Sequence, residues 1–168
     1  MIKINLLRYE TNGGPGVARQ YGLDHTNNEF VIFLDADDVF SGHFAISTLK
    51  GMLIEDQDAI MSMGKIAETK NLYGETIVLP LEFNFVWLFG KMYRRELIDL
   101  YNIRFHPTSR SNEDVGFNST YLLLCGGEEK TLTIEDPVYY WLDNENSITR
   151  EKNSSYAYRS DMTGSFYG

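Results

Sequence analysis

A single cysteine, Cys125, rules out an intrachain disulfide and fits a reducing compartment. It closes the apolar run from Tyr121, where the expected role is that of a small buried hydrophobe. Positive charge is also scarce. Fifteen Lys and Arg stand against twenty-four Asp and Glu, a net charge of −9. Such a balance repels nucleic acid and anionic membrane surfaces. The densest basic run, Lys91-Met92-Tyr93-Arg94-Arg95, is too short to reverse it. The N-terminus, Met1-Ile2-Lys3-Ile4-Asn5, is too polar for a secretory signal. The longest apolar stretch, Ile77 to Tyr93, is interrupted by Pro80, Glu82 and Asn84 and makes a poor membrane span. A cytoplasmic location with no transmembrane segment is expected. Without a secretory signal, the glycosylation sequons at Asn118 and Asn153 carry no weight. Internal repeats and low-complexity linkers are absent. The histidines, His25, His43 and His106, share no metal-ligand spacing; His106 lies nearest in sequence to the acidic pair Glu113-Asp114.

What is present is an ordinary globular composition, 43% apolar and 23% charged, at a length of 168 residues that suits one domain. The expected domain covers 1–150, followed by a polar, Tyr-rich tail at 151–168. Ile2 to Leu7 alternates as a strand does. Pro15 suits the first turn of a helix running to about Asn27. Phe30 to Leu34 reads as a strand buried on both faces. A strand–helix–strand order of this kind predicts a βαβ unit with a right-handed crossover. Phe44 to Glu55 has helical spacing. Strands are expected at Ala59–Ala67, Thr76–Leu79 and Phe85–Tyr93. A short helix is expected at Arg94–Tyr101 and a longer one at Ser111–Cys125. Leu132–Ile134 and Val138–Trp141 read as two last strands. The class is α/β, a mixed and mainly parallel sheet flanked by helices.

Three segments could carry chemistry. Asp35-Ala36-Asp37-Asp38 places three carboxylates just past an apolar strand. Hard oxygen donors at that spacing suit Mn²⁺ or Mg²⁺, although Asp is also common in turns. Asn12-Gly13-Gly14-Pro15-Gly16 lies between a strand and a helix, where glycines admit a ligand and the helix start favours anions. Arg19 follows as a fixed positive charge. The run is neither a Walker loop nor a full dinucleotide fingerprint, and a plain βα turn explains it equally well. Ser111-Asn112-Glu113-Asp114 reads as a capping box with Asp114 in the third position. A carboxylate there could also serve as general base.

Together these segments resemble the inverting, family-2-type glycosyltransferases of the GT-A fold. The family pattern Asn-x-Gly-x-x-x-Ala-Arg is matched by Asn12, Gly14, Ala18 and Arg19, with Gly22-Leu23 after it. Leu34-Asp35-Ala36-Asp37-Asp38 matches its Asp-x-Asp motif. Gly90 to Ile98, Phe105, Glu113-Asp114 and Val138-Tyr139-Tyr140 follow in the family's order. The resemblance spans about residues 2–150 and implies a metal-dependent, hexosyltransferase-like activity on a nucleoside-diphosphate sugar, a UDP-sugar first, with a carbohydrate or other hydroxyl acceptor. It implies that Asn12, Gly14, Arg19 and Asp35 meet the nucleotide sugar and that Asp37, with Asp35 and Asp38, holds the cation. It further implies that Asp114, with Glu113, activates the acceptor. Three departures stand out. The family's N-terminal strand, helix and strand, which hold the nucleotide base, have no counterpart here, so a partner chain or oligomer would complete that part. Gln20 replaces the usual Asn after the Arg. No Gln-x-x-Arg-Trp motif occurs, which argues against a processive synthase. Two other readings stay open at this level: phosphoryl transfer of the haloacid-dehalogenase type, which also uses Asp-x-Asp after a strand, and a non-catalytic sugar-nucleotide-binding remnant.

Overall fold

The computed structural model describes residues 3–73, 75–107 and 112–143. Its elements are α1 (Pro15–Asp24), β1 (Phe30–Ile32), β2 (Val39–Phe40), α2 (Ala45–Glu55), β3 (Met61–Leu72), β4 (Glu75–Pro80), β5 (Lys91–Arg94), α3 (Arg95–Leu100), α4 (Glu113–Cys125) and β6 (Thr131–Trp141). The strands form a mixed sheet in the order β1-β5-β3-β6-β2, with β4 paired to β3 off that path. Ser111, the tail from Glu151 and the Asn153 sequon lie outside the described residues.

Strand alternation puts helices on both faces of the sheet. Met61 and Met63 of β3 and Tyr93 of β5 pack with Leu23, Ile98, Phe117 and Tyr121, so α1, α3 and α4 cover one face. Met92, Ile66, Val138 and Tyr139 point the other way, onto Ala45, Leu49 and Leu53 of α2. Cys125 is buried and free, as expected, and burial pushes its thiol up to about 11. Among the described residues, no helix is long and apolar enough to cross a membrane.

The α/β class and the helix-flanked mixed sheet are as expected, but the balance of strand directions is not. β3 runs parallel to β6, whereas the ladders β1–β5, β3–β5, β3–β4 and β2–β6 are antiparallel. The expected parallel neighbour of β1 was Ile2–Leu7. Residues 3–9 form no strand, and Ile4 and Leu6 are 88% and 94% exposed. Alternation yields a strand only where a neighbouring edge completes the backbone hydrogen bonds. Among the described residues β1 has β5 alone as its partner, so the expected βαβ unit is not formed. β1 is also half-buried rather than closed on both faces.

Two further departures have local causes. The two expected last strands are one strand, β6. Its register against β3 slips where Gly64 faces Ile134 and Lys65 faces Pro137, bulging out Glu135 and Asp136. Pro137 has no N–H to give the ladder, and a bulge accommodates it. The expected strand Phe85–Tyr93 begins only at Lys91. Asn84 Oδ1 accepts the amides of Val86 at 2.9 Å and Trp87 at 2.7 Å, folding the preceding segment into turns.

The basic run around Arg94 is spent inside the fold. Arg94 Nε donates to the Ala59 carbonyl at 2.7 Å, and its Nη2 donates to Leu53 at 2.6 Å and Asp56 at 2.9 Å, which closes the C-terminus of α2. Arg95 does the same for α1 through the carbonyls of Leu23 and Thr26. Asn118, of the first sequon, is fully buried.

Candidate active site

The acidic turn follows β1 directly. Phe33, buried against Phe105 and Phe117, anchors the chain before it turns. The Asp38 amide then donates to the Asp35 carbonyl at 3.1 Å. One carboxylate oxygen from each of Asp35, Asp37 and Asp38 lies within 4.8 Å of the others. Their environments differ: Asp35 is half-buried, Asp37 exposed and Asp38 buried. Asp38 accepts the Tyr139 hydroxyl at 2.6 Å on Oδ2 and the Leu142 amide at 2.9 Å on Oδ1. The same hydroxyl accepts the Asp35 amide at 3.4 Å. Burial, with the charges of Asp37 and Asp35 adding to it, raises the Asp38 pKa despite those two donors. Burial and Asp38 push the Tyr139 phenol far up, so it stays a neutral donor. Three oxygen donors in this space fit a hard divalent cation. Asp37 and Asp35 have the more accessible oxygens, while both Asp38 oxygens are engaged.

The glycine-rich turn reaches this cluster through Arg19. Asn12 Oδ1 accepts the Gly14 amide at 3.0 Å, closing a turn on itself. Gly14 has φ +86°, a conformation open to glycine at no steric cost. A Cβ on Gly16 would lie 3.1 Å from Cβ and Cγ of Glu113, so its bare backbone lets α1 start against α4. One turn later Arg19 Nη1 donates to Glu113 Oε1 at 2.6 Å and Nη2 to Asp35 Oδ1 at 2.7 Å. The Arg19 side chain is 13% exposed and that of Glu113 8%. Burial works against the guanidinium's charge, but hydrogen bonds and attraction from Asp35 and Glu113 outweigh it and raise its pKa. All three sequence segments thus meet at one side chain.

The start of α4 differs from the expected capping box. Asn112 holds the cap position in the left-handed region, φ +60°, with no side-chain cap hydrogen bond. Asp114 is therefore the second helical residue rather than the third, and its role is not that of a box partner. Burial, then the charge of Glu113, raises the Asp114 pKa, while the amides of Val115 and Asp114 and the charge of Arg19 pull it down. A half-buried carboxylate whose pKa is raised is a stronger base than an ordinary one, which suits proton abstraction. The three histidines are exposed.

Sequence reasoning missed three polar residues beside these groups. Tyr139 was visible only as part of a Tyr-rich strand. Lys91 stood out only as part of a short basic run, and Asn118 as part of a sequon. All three are buried.

Comparison with known proteins follows the same segments. Residues 2–110 match the profile of glycosyl transferase family 2. That range includes the glycine-rich turn, Arg19 and the acidic turn; Glu113 and Asp114 lie just beyond it. The succinoglycan biosynthesis protein ExoW of Rhizobium meliloti is 40% identical over 58 residues, covering 33% of this chain and 18% of that protein. The uncharacterized glycosyltransferase EpsJ of Bacillus subtilis is 25% identical over 160 residues, 84% of this chain and 45% of its own length. Among solved structures, S. aureus TarS 1–349 in complex with UDP-GlcNAc superposes with a TM-score of 0.67 at 22% identity, covering 83% of this chain and 42% of that one. The same protein in complex with UDP gives 0.63 at 23% identity. The chain spans less than half the length of these relatives.

Proposed function

From the premise that the chain belongs to glycosyl transferase family 2, we propose that it carries the acidic and basic machinery for moving a sugar from a nucleoside-diphosphate donor to an acceptor hydroxyl. The observation that supports this best is the Arg19 bridge, which joins Asp35 of the acidic turn to Glu113 beside Asp114. In this reading Asp37 and Asp35 hold a divalent cation, Mn²⁺ or Mg²⁺, and Asp35 also faces the ribose. A cation there offsets charge developing on the departing diphosphate. Asp38, tied to Tyr139 and Leu142, keeps the turn in shape. Asn12 and Gly14 shape the adjoining turn. Arg19 positions the two acidic segments relative to one another, and Glu113 fixes Arg19.

Asp114 takes the acceptor's proton. The acceptor oxygen bonds to the sugar C1 as the C1–O bond to the diphosphate breaks, from the opposite face, so the anomeric centre inverts. The logic parallels that of an inverting glycosidase with a hydroxyl in place of water. UDP and UDP-GlcNAc in the TarS structures support a UDP-sugar as donor. The acceptor is a carbohydrate or another hydroxyl compound. A partner chain or oligomer completes the base pocket, and the location is cytoplasmic. Family membership displaces the phosphoryl-transfer reading.

The test is thermal unfolding with Mn²⁺ and a panel of nucleoside diphosphates. A ligand at about a hundred times its dissociation constant adds roughly 2.7 kcal/mol, a rise of a few degrees in a domain of this size. A metal-dependent rise with one nucleotide supports the reading. No rise with any of them leaves the non-catalytic reading in its place.

A further inference from the structure

The chain has two tryptophans, Trp87 and Trp141, and the fold brings them together. Their ring centroids are 5.9 Å apart and their planes meet at 71°, so the two indoles form the walls of an aromatic corner. Both are half-buried, resting on the cluster that includes Ile66, Val138 and Tyr139. The corner adjoins the acidic turn. Leu142, next in the chain to Trp141, donates its amide to Asp38 Oδ1 at 2.9 Å. Tyr139 shares a face of β6 with Trp141 and donates its hydroxyl to Asp38 Oδ2 at 2.6 Å. Phe89, two residues past Trp87, stacks on Tyr139 with centroids 5.2 Å apart.

The turn that carries Trp87 is held from several sides. Asn84 Oδ1 accepts the Trp87 amide at 2.7 Å. Asn118 Nδ2 donates to the Phe85 carbonyl. Lys91 Nζ donates to the carbonyls of Asn84 and Trp87, and both Lys91 and Asn118 are 0% exposed. Taking an ammonium group out of water is unfavourable, and here that group is set against two carbonyls of this one turn. Trp141 is held as well, its carbonyl accepting the Thr69 hydroxyl at 3.3 Å. Core packing accounts for the buried part of each ring. It does not account for a rigid turn that brings an indole to the surface beside three carboxylates. Two donors there are open to a polar ligand. Among the described residues no acceptor takes the Trp87 indole N–H or the Asn84 Nδ2, and neither atom is shut away from solvent.

We propose that the corner is a saccharide subsite, in which a pyranose ring lays its C–H face on an indole and its hydroxyls meet the Trp87 N–H and the Asn84 amide. Flat apolar walls with a few fixed polar groups suit a ligand that is itself part apolar and part polar. The choice of a sugar rests on the function proposed above. That function puts the nucleotide on the Asp35–Arg19 side of the acidic turn and leaves the Asp38 side to glycosyl groups. The donor and a carbohydrate acceptor both carry such a ring, and the test tells them apart.

Both tryptophans of the chain line the corner, so intrinsic fluorescence reads its occupancy. The full chain with Mn²⁺ is titrated with UDP, UDP-GlcNAc, chitohexaose and cellohexaose. A saturable emission change with UDP-GlcNAc that exceeds the change with UDP places the donor sugar in the corner. A saturable change with a free hexasaccharide places an acceptor unit there. A change with UDP-GlcNAc no larger than that with UDP, together with none from either hexasaccharide, overturns the proposal. In Trp87→Ala, with Trp141 as reporter, affinity for the responding saccharide falls by about tenfold. Trp87→Phe keeps a flat ring and recovers part of the loss. Unaltered affinity in Trp87→Ala overturns the proposal. Should that variant not fold, Trp141→Ala, read through Trp87, is judged by the same criterion. The melting shift with Mn²⁺ and nucleotide keeps the two readings apart. A nucleotide shift without a saccharide response removes the corner and leaves the proposed function standing. A saccharide response without a nucleotide shift does the reverse.

Discussion

Arg19 and Glu113 lie 94 residues apart in the chain and meet at 2.6 Å. The other arm of the same guanidinium reaches Asp35 at 2.7 Å. Replacing Arg19 by Met leaves Glu113 buried and unpaired, which costs about 3 kcal/mol. Denaturant unfolding measures this. Adding Glu113→Gln recovers part of the loss, because the orphaned charge is gone. An additive double variant argues against a coupled pair.

Asp37→Ala is expected to abolish the metal-dependent thermal shift with nucleotide while leaving the apo protein's stability within about 0.5 kcal/mol, since the side chain is exposed. An unchanged shift removes Asp37 from the cation site.

Asp114→Asn separates chemistry from binding. Transfer falls by about a hundred- to ten-thousand-fold, with the nucleotide shift intact. Stability responds oppositely. A carboxylate whose folded pKa is raised contributes stability that is present at low pH and lost as pH rises through that pKa. The Asn variant lacks this loss, so it is more stable than the parent at neutral pH, and the gain shrinks on acidification. Melting curves across acid to neutral pH check the sign. Retained transfer returns Glu113-Asp114 to a structural role.

Tyr139→Phe keeps the stack on Phe89 and removes the hydroxyl on Asp38. Loss of that buried hydrogen bond costs about 1–3 kcal/mol. The metal-dependent shift weakens as well, because Asp35 loses the same hydroxyl from its amide. A variant with parental stability and an unaltered shift contradicts the anchoring role.

Gly16→Val forces a side chain into the 3.1 Å gap to Glu113. Overpacking of this kind costs about 1–3 kcal/mol. The expected additional result is a loosened Arg19–Glu113 contact, seen as faster exchange at the start of α4.

Much of the architecture was legible because it is local. The turn residues and apolar spacing marked α2 and α4 within one or two residues of their bounds and placed the β3–β4 hairpin, although β3 runs five residues past its expected end. The acidic turn stood out because three carboxylates follow an apolar strand. What escaped depends on distant partners. Nothing near Arg19 in the chain announces Glu113, and nothing near Asp38 announces Tyr139, 101 residues away. The internal roles of Lys91, Arg94 and Arg95 were not legible because the carbonyls that receive them come from turns and helix ends that only the fold brings close. The segment Ile2–Leu7 misled for the opposite reason: its alternation is real, but among the described residues no strand edge receives it.

Asp35 and Asp38 are each fastened from outside their turn, one by Arg19 and the other by Tyr139 and Leu142. Asp37 sits between two clamped neighbours. The conformational entropy of gathering these carboxylates is therefore spent once, as the chain folds, and not again at each encounter. An ion taken up there would meet an assembled cage whose main resistance is the mutual repulsion of its own walls. Capture at such a place is paced by how fast the ion sheds water, not by how fast a loop closes.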